Sequence, residues 1–415
     1  MIFKKLKNTV YFILLVCISC TAQENKKNTT ETIRVAANRT EAYLPLLQGK
    51  NVGIVGNQTS VIFKSEKDYT HLVDSLLSRS VSIQRVFAPE HGFRGTADAG
   101  ERVEDGIDSK TGLPIISLYG DQKKPDPQYL QDLDVILFDI QDVGARFYTY
   151  ISTLHYIMEA CAEQGIQLIV LDRPNPNGHY IDGPVLEENY KSFVGMHPVP
   201  VVHGLTIGEY AQLINGEKWL MNGLQCDLKV ITMENYSATR AYDLPIKPSP
   251  NLPNATSINL YPSLCFFEGT NVSVGRGTGM QFQVFGSPVL DSTYFDFEFT
   301  PISNPGAKYP KHENILCFGK NLQNEKELDH LNLDWLLQAY DHTQDQASFF
   351  NSFFNKLAGN SSLKEQIQQG KTAEDIKESW QADLENYKTK IKPYFGAHSN
   401  DRHFKGSRIF RLVHS

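Results

Sequence analysis

The sequence predicts an α/β fold: a parallel sheet domain covered by helices on both faces, followed by a smaller C-terminal α+β domain packed across the carboxyl edge of the sheet. Three observations carry this reading. From residue 50 onward, short β-branched runs alternate with helical patterns, the signature of strands buried on both sides. At 244–263, LPIKPSPNLPNATSINLYPS, five prolines and no helical periodicity mark the point where the chain leaves the sheet. A chain of 415 residues with 41% hydrophobic and 11% aromatic content is long and apolar enough for a large core and two domains.

The expected strands are 51–57 (NVGIVGN), 81–88 (VSIQRVFA), 113–120 (LPIISLYG), 133–140 (LDVILFDI), 166–172 (IQLIVLD), 199–204 (VPVVHG) and 228–233 (LKVITM). Residues 146–165 have helical spacing and close on Gly165, a natural helix stop. Residues 206–220 predict a second helix, with Thr206 as its cap and Glu209 three residues on. Near the end of the chain, a helix around Ala373–Tyr387 alternates charges on its solvent side. The sheet domain is assigned to 33–255 and the C-terminal domain to 256–415.

The first twenty residues place Lys4, Lys5 and Lys7 before an apolar run ending in Ile18, Ser19 and Cys20, the layout of a secretory signal. A cysteine at the cleavage point resembles a bacterial lipoprotein signal with Cys20 as the lipidation site. The expectation is an exported protein, periplasmic or outer-membrane-associated, that meets a membrane only through that anchor. Residues 21–32 are polar and read as a flexible tether. A net charge of -7 supplies no footprint for nucleic acid. Cys161, Cys226, Cys265 and Cys317 are far apart in apolar contexts, so buried thiols are expected and a CxxC metal site is absent.

Ligands of open α/β sheets bind outside the carboxyl ends of the strands. Those ends carry Asn57, Glu90 with His91, Tyr119, Asp139 with Gln141 and Asp142, Asp172 with Arg173, and His203. Neither GxGxxG nor GxxxxGK[ST] follows the first strand, so nucleotide cofactors are not expected, and no cofactor or metal is called for. The glycine-rich GTNVSVGRGTG at 269–279 lies in a turn-rich region, where its glycines allow close backbone approach.

The motifs APEHGFRG (88–95), AGE (99–101), DSKTGLPIISLYG (108–120), LFDIQDVGARFYTYISTL (137–154), LDRPNPNG (171–178), GPVLE (183–187), HGLTIGEYA (203–211), SPNLP (249–253) and FFEGTNVSVGRGTG (266–279) stand in this order. In them the chain resembles the exo-β-N-acetylmuramidase family of peptidoglycan hydrolases, over roughly residues 35–415. The resemblance implies a Rossmann-like sheet domain and a smaller C-terminal domain with the active site in the cleft between them. It also implies release of N-acetylmuramic acid from non-reducing ends of peptidoglycan-derived saccharides.

Glycoside hydrolysis asks for a carboxylic acid to protonate the leaving oxygen and a second group to assist the anomeric carbon. Glu90, held by the HGFRG loop beside Phe93, is the expected acid, with His91 orienting it or touching a sugar hydroxyl. Glu268, Asp139, Asp142 and Glu101 are candidates for the second carboxylate; Glu268 is favoured because its segment enters the cleft from the C-terminal domain. The substrate's own acetamido oxygen is an alternative nucleophile. The lactyl carboxylate of muramic acid calls for a guanidinium fork, for which Arg276 and Arg173 are favoured over Arg94 and Arg146. Asp139, Gln141, Asn175 and His203 complete the expected substrate contacts. Two other classes compete: a metal-dependent hydrolase using Glu90, His91, Asp139 and His203, and a two-lobed solute-binding lipoprotein.

Overall fold

The structure is a computed structural model that describes residues 31–65, 67–94 and 105–395. The expected signal with Cys20, most of the tether, Glu101 and residues 396–415 lie outside the described residues.

Strands β1 (Asn51–Gly56), β2 (Val61–Phe63), β3 (Tyr69–His71), β4 (Ser82–Ala88), β5 (Gly106–Ile107), β6 (Pro114–Ser117), β7 (Val135–Asp139), β8 (Gln167–Leu171) and β9 (Leu228–Ile231) belong to the first half of the chain. Seven of them form one sheet in the order β5-β6-β4-β1-β7-β8-β9, and β2 pairs with β3 in a separate hairpin. All pairs in the sheet are parallel except β5 with β6. Without the short antiparallel edge β5, the six parallel strands stand in the Rossmann order, with β1 and β7 flanking the point where the winding reverses.

Alternate residues of the central strands feed two cores, as a period of two requires. Val52 and Ile54 of β1, Val135 and Leu137 of β7, and Ile169 and Leu171 of β8 join a cluster with the helices Thr40–Leu47 and Leu72–Ser78. Val55, Ile136, Phe138, Leu168 and Val170 face the other way, into a larger cluster with the helices Tyr150–Gln164 and Ile207–Gly216 and most of the C-terminal half. The first of these two helices ends on Gly165 at φ 67°, and the second opens with Thr206 and Glu209 in a reciprocal capping box.

Three expected features differ. Residues 199–204 form no strand: Pro198 and Pro200 remove the donors a ladder needs, and Val202 makes only isolated bridges to Ala145 and Asp182. The proline-rich stretch contains the helix Ala255–Leu264, opened by a capping box between Asn254 and Ser257 and tolerating Pro262 within it. Beyond it, β10 (Val284–Ser287), β11 (Phe297–Phe299) and β12 (Cys317–Asn321) form an antiparallel sheet in the order β10-β12-β11. The charged terminal pattern is two helices, Ala373–Ser379 and Gln381–Ile391, rather than one. Cys161, Cys226, Cys265 and Cys317 are free and buried.

Candidate active site

A cavity of about 660 Å³ lies where the carboxyl ends of β4 and β6 meet the C-terminal half; its lining includes Glu90, His91, Tyr119, Thr149, Glu268 and Arg276. Its wall on the sheet side is made by a sharp turn after β4. The Gly92 N–H donates to the Pro89 carbonyl at 3.0 Å, and His91 and Gly92 both take left-handed backbone angles, φ 72° and 75°. A non-glycine residue in that region stores strain, which concentrates at functional sites. The turn aims Glu90 into the cavity and leaves His91 buried at 4% exposure.

The Thr149 hydroxyl donates to Glu90 Oε2 at 2.8 Å, from the residue that precedes the helix Tyr150–Gln164. The Tyr119 hydroxyl, at the end of the β6 segment, also hydrogen-bonds Glu90; burial and the neighbouring carboxylate push its pKa above the ordinary phenol value. Tyr148 and Tyr150 support this wall from behind, both donating to the Pro248 carbonyl, at 2.8 and 3.3 Å.

Across the cavity, Glu268 sits in the 3-10 turn Cys265–Gly269 and pairs with Arg276, whose Nε and Nη2 lie 2.8 and 2.7 Å from the same oxygen, Oε1. Glycines at 275 and 277, φ 77° and 80°, fold the arginine back: a Cβ at Gly275 would stand 2.7 Å from the Met280 carbonyl oxygen and one at Gly277 2.7 Å from Pro310. The guanidinium lies 5.1 Å from the centroid of Phe282, close enough for cation–π attraction. Behind the pair, Lys311 Nζ donates to the carbonyls of Phe267, Thr270 and Val272 at 3.1, 2.6 and 3.0 Å, which ties the Glu268 turn to the loop 301–316. Burial lowers the Lys311 pKa to about 8.

Glu90, His91, Glu268 and Arg276 therefore converge, as the motifs suggested. The other expected contacts are engaged elsewhere and do not line the cavity. Arg94 forks onto Asp108 at 3.2 and 2.7 Å and lies 3.5 Å from Asp74, while Phe93 turns into the opposite core against His71 instead of shielding Glu90. Arg173 forks onto fully buried Asp139 at 2.6 and 2.8 Å. Arg146 is wholly buried and serves the carbonyls of Pro184, Val199, Leu357 and Ala358 at 2.7, 2.8, 2.9 and 2.7 Å; burial away from any carboxylate lowers its pKa to about 9.

Gln141 donates to the Asp142 and Pro174 carbonyls at 2.8 and 2.6 Å, and Asn175 donates to the Leu205 carbonyl at 2.9 Å. His203 accepts from Leu205 N at 3.2 Å and lies 3.7 Å from Asp142. These groups brace the loops beyond β7 and β8, the location their strand-end positions indicated; what sequence could not show is that Gln141, Asn175 and His203 Nδ1 are already hydrogen-bonded there, while His203 Nε2 is buried without a hydrogen-bond partner. The reversal point between β1 and β7 is likewise filled: Ser60 donates to the Asp139 carbonyl and Asn57 to the Tyr150 hydroxyl. Asp139 and His203 thus stand apart from Glu90 and His91, and among the described residues no three His, Cys, Asp or Glu side chains gather as a metal-holding group.

Thr149 and Lys311 were not singled out from sequence. Thr149 hides between two tyrosines in RFYTY, and a lysine whose partners are backbone carbonyls leaves no motif.

The exo-β-N-acetylmuramidase NamZ family models match the chain, the N-terminal one at residues 52–256 and the C-terminal one at 259–396. The peptidoglycan β-N-acetylmuramidase NamZ of Bacillus subtilis (strain 168) is 38% identical over 371 residues, covering 85% of this chain and 88% of the relative. A crystal structure of a DUF1343 family protein from Bacteroides fragilis superposes with a TM-score of 0.82 at 44% identity, covering 89% of this chain and all of that one. A second DUF1343 structure from the same organism gives a TM-score of 0.72 at 28% identity, covering 88% of this chain and 98% of its own. With both halves matched and the identity sustained along most of its length, the chain belongs to the exo-β-N-acetylmuramidase family.

Proposed function

We propose that this chain removes N-acetylmuramic acid from the non-reducing ends of peptidoglycan fragments, with Glu90 as the general acid and the Glu268–Arg276 pair as its counterpart across the cleft. The observation that carries the assignment is the convergence of these three groups, from separate halves of a family member, on one cavity. A glycosidic oxygen leaving as an alkoxide needs a proton, and Glu90 is a half-buried carboxyl on a rigid turn, held by Thr149 and Tyr119. On the far wall Glu268 supplies negative charge toward an anomeric carbon that becomes cationic in the transition state, and Arg276 fixes its orientation. The same guanidinium recognises the lactyl carboxylate that sets muramic acid apart from other hexosamines. His91, buried next to Glu90, orients the acid.

The layout of the first twenty residues supports an exported lipoprotein carrying its lipid on Cys20, placed to meet cell-wall fragments in the periplasm or at the outer membrane. Incubation of the purified protein with a muramic-acid-terminated disaccharide, followed by mass and NMR analysis, tests the reading. Release of N-acetylmuramic acid is expected; a disaccharide that is bound and recovered intact would make the protein a solute receptor instead.

A further inference from the structure

The lining of the cavity is graded in exposure. Its depth is apolar and enclosed, with Tyr148, Leu252, Tyr261 and Phe282 at 7%, 1%, 7% and 1%. Tyr309, which lines the same cavity, is 83% exposed. A residue that borders a cavity yet is mostly in water stands at its mouth.

The loop that presents this ring is fastened at many points. The Ile302 N–H donates to the Gly277 carbonyl at 2.8 Å, Asn304 and Ala307 exchange backbone bonds at 3.2 and 3.0 Å, and the Asn314 N–H donates to the Pro301 carbonyl at 2.8 Å. Asn251 Nδ2 reaches the Gly306 carbonyl at 2.7 Å. Pro310, the next residue, is buried in contact range of Gly277, and Lys311 adds its three carbonyl bonds. Tyr309 is thus an exposed aromatic on a braced backbone, which loses little freedom when a ligand covers it. Lys308 Nζ lies 5.7 Å from the ring centroid. Tyr119 and Phe193, from the sheet side, line the same cavity with ring centroids 6.2 Å apart.

We propose that Tyr309 is the platform of a leaving-group subsite, on which the sugar next to the terminal muramic acid lays the C–H face of its ring. This rests on the muramidase reading above. In an exo-acting enzyme the terminal residue fills the enclosed end beside the acid, so the remainder of the glycan passes out through the mouth. Aromatic rings bury such amphipathic faces while the sugar hydroxyls stay in water. The subsite accepts a pyranose and is indifferent to the groups that distinguish one hexosamine from another, because a ring face reads shape rather than hydrogen-bonding pattern. It makes Tyr309 a determinant of the leaving group and not of the chemistry.

The test compares two substrates in wild type, Tyr309→Ala and Tyr309→Phe: a muramic-acid-terminated disaccharide, and the methyl β-glycoside of N-acetylmuramic acid, which has nothing to place on the ring. The quantity read is the ratio of kcat/KM for disaccharide over methyl glycoside. In Tyr309→Ala the ratio is expected to fall about five- to tenfold, the scale of a single well-placed ring contact. Tyr309→Phe should hold it within about twofold, since the contact is made by the ring and not the hydroxyl. An unchanged ratio in the alanine variant, including an equal loss on both substrates, or a phenylalanine variant as impaired as alanine, would overturn the subsite. Wild-type protein that cleaves neither substrate would overturn the muramidase reading, and the subsite with it.

Discussion

Arg276 approaches a single oxygen of Glu268, Oε1, with two of its nitrogens, at 2.8 and 2.7 Å, and leaves the other oxygen to the weak Cys265 thiol donor at 3.5 Å. The arginine therefore has two tasks that a substitution separates. Arg276→Ala should weaken inhibition by free N-acetylmuramic acid about tenfold more than inhibition by N-acetylglucosamine, because only the former offers the carboxylate that a fork recognises. Equal weakening of the two inhibitors would leave Arg276 with Glu268 as its sole partner.

Glu90→Gln keeps the shape of the side chain and its place against Thr149 but cannot donate a catalytic proton. A loss in kcat of at least ~100-fold is expected, with an unchanged unfolding midpoint in urea. A near-wild-type rate in this variant would remove Glu90 as the acid.

Thr149→Val deletes the hydroxyl that donates to Glu90 Oε2 at 2.8 Å without changing the bulk of the residue. A carboxyl group that loses one of its partners is less well aimed, so kcat should drop about fivefold, in line with ~1 kcal/mol for a hydrogen bond. Thr149→Ser restores the hydroxyl and should recover most of the rate. A valine variant with full kcat would show that Tyr119 suffices.

The Lys311 pKa, lowered to about 8 by burial, places a titration in the alkaline range. Above that pH the neutral amine has one donor fewer for the Phe267, Thr270 and Val272 carbonyls, and the turn bearing Glu268 loosens. Activity should decline with an apparent pKa near 8. The linkage sign is opposite for stability. The folded value lies below the ordinary lysine value, so between the two the unfolded chain binds more protons and this group's contribution to stability rises with pH. An alkaline loss of activity without an alkaline loss of stability is the signature, and Lys311→Arg, which stays charged, should abolish the limb. A limb that survives in the arginine variant assigns it to another group.

Arg146→Met would leave the carbonyls of Pro184, Leu357 and Ala358 without their donor in a dry interior, while Val199 keeps the Leu186 N–H at 3.1 Å. At about 1–3 kcal/mol for each buried group left unsatisfied, a stability loss of at least about 3 kcal/mol is expected in urea unfolding. A loss below about 1 kcal/mol would mean that water reaches these carbonyls.

The sheet was legible because fully buried parallel strands leave unbroken apolar runs, and six of the seven expected strands are present. The seventh failed where Pro198 and Pro200 outvoted the valines around them. The helix Ala255–Leu264 was hidden by its prolines, although the Asn254 and Ser257 pair at its start is a cap that sequence can reveal. The placement of Glu90 and Glu268 on one cavity could be anticipated because both stand in long motifs. The roles of Arg94, Arg146 and Arg173 could not, since the same guanidinium serves a ligand, an aspartate or a row of carbonyls equally well. Which of these it finds depends on packing between residues far apart in the chain.

The bonds of Arg146 to Leu357 and Ala358 join positions 211 and 212 residues apart. The first half of the chain, folding alone, would have to bury a cation with half of its acceptors missing. Its interior is therefore completed only once the segment around residue 357 has been made and has docked. Closure of so long a loop delays the final step of folding, and it couples the sheet to the helix Phe354–Ala358 in a single cooperative transition. A purified fragment ending before that helix should accordingly be a partly ordered chain, exposed to proteolysis, and not a small stable sheet domain.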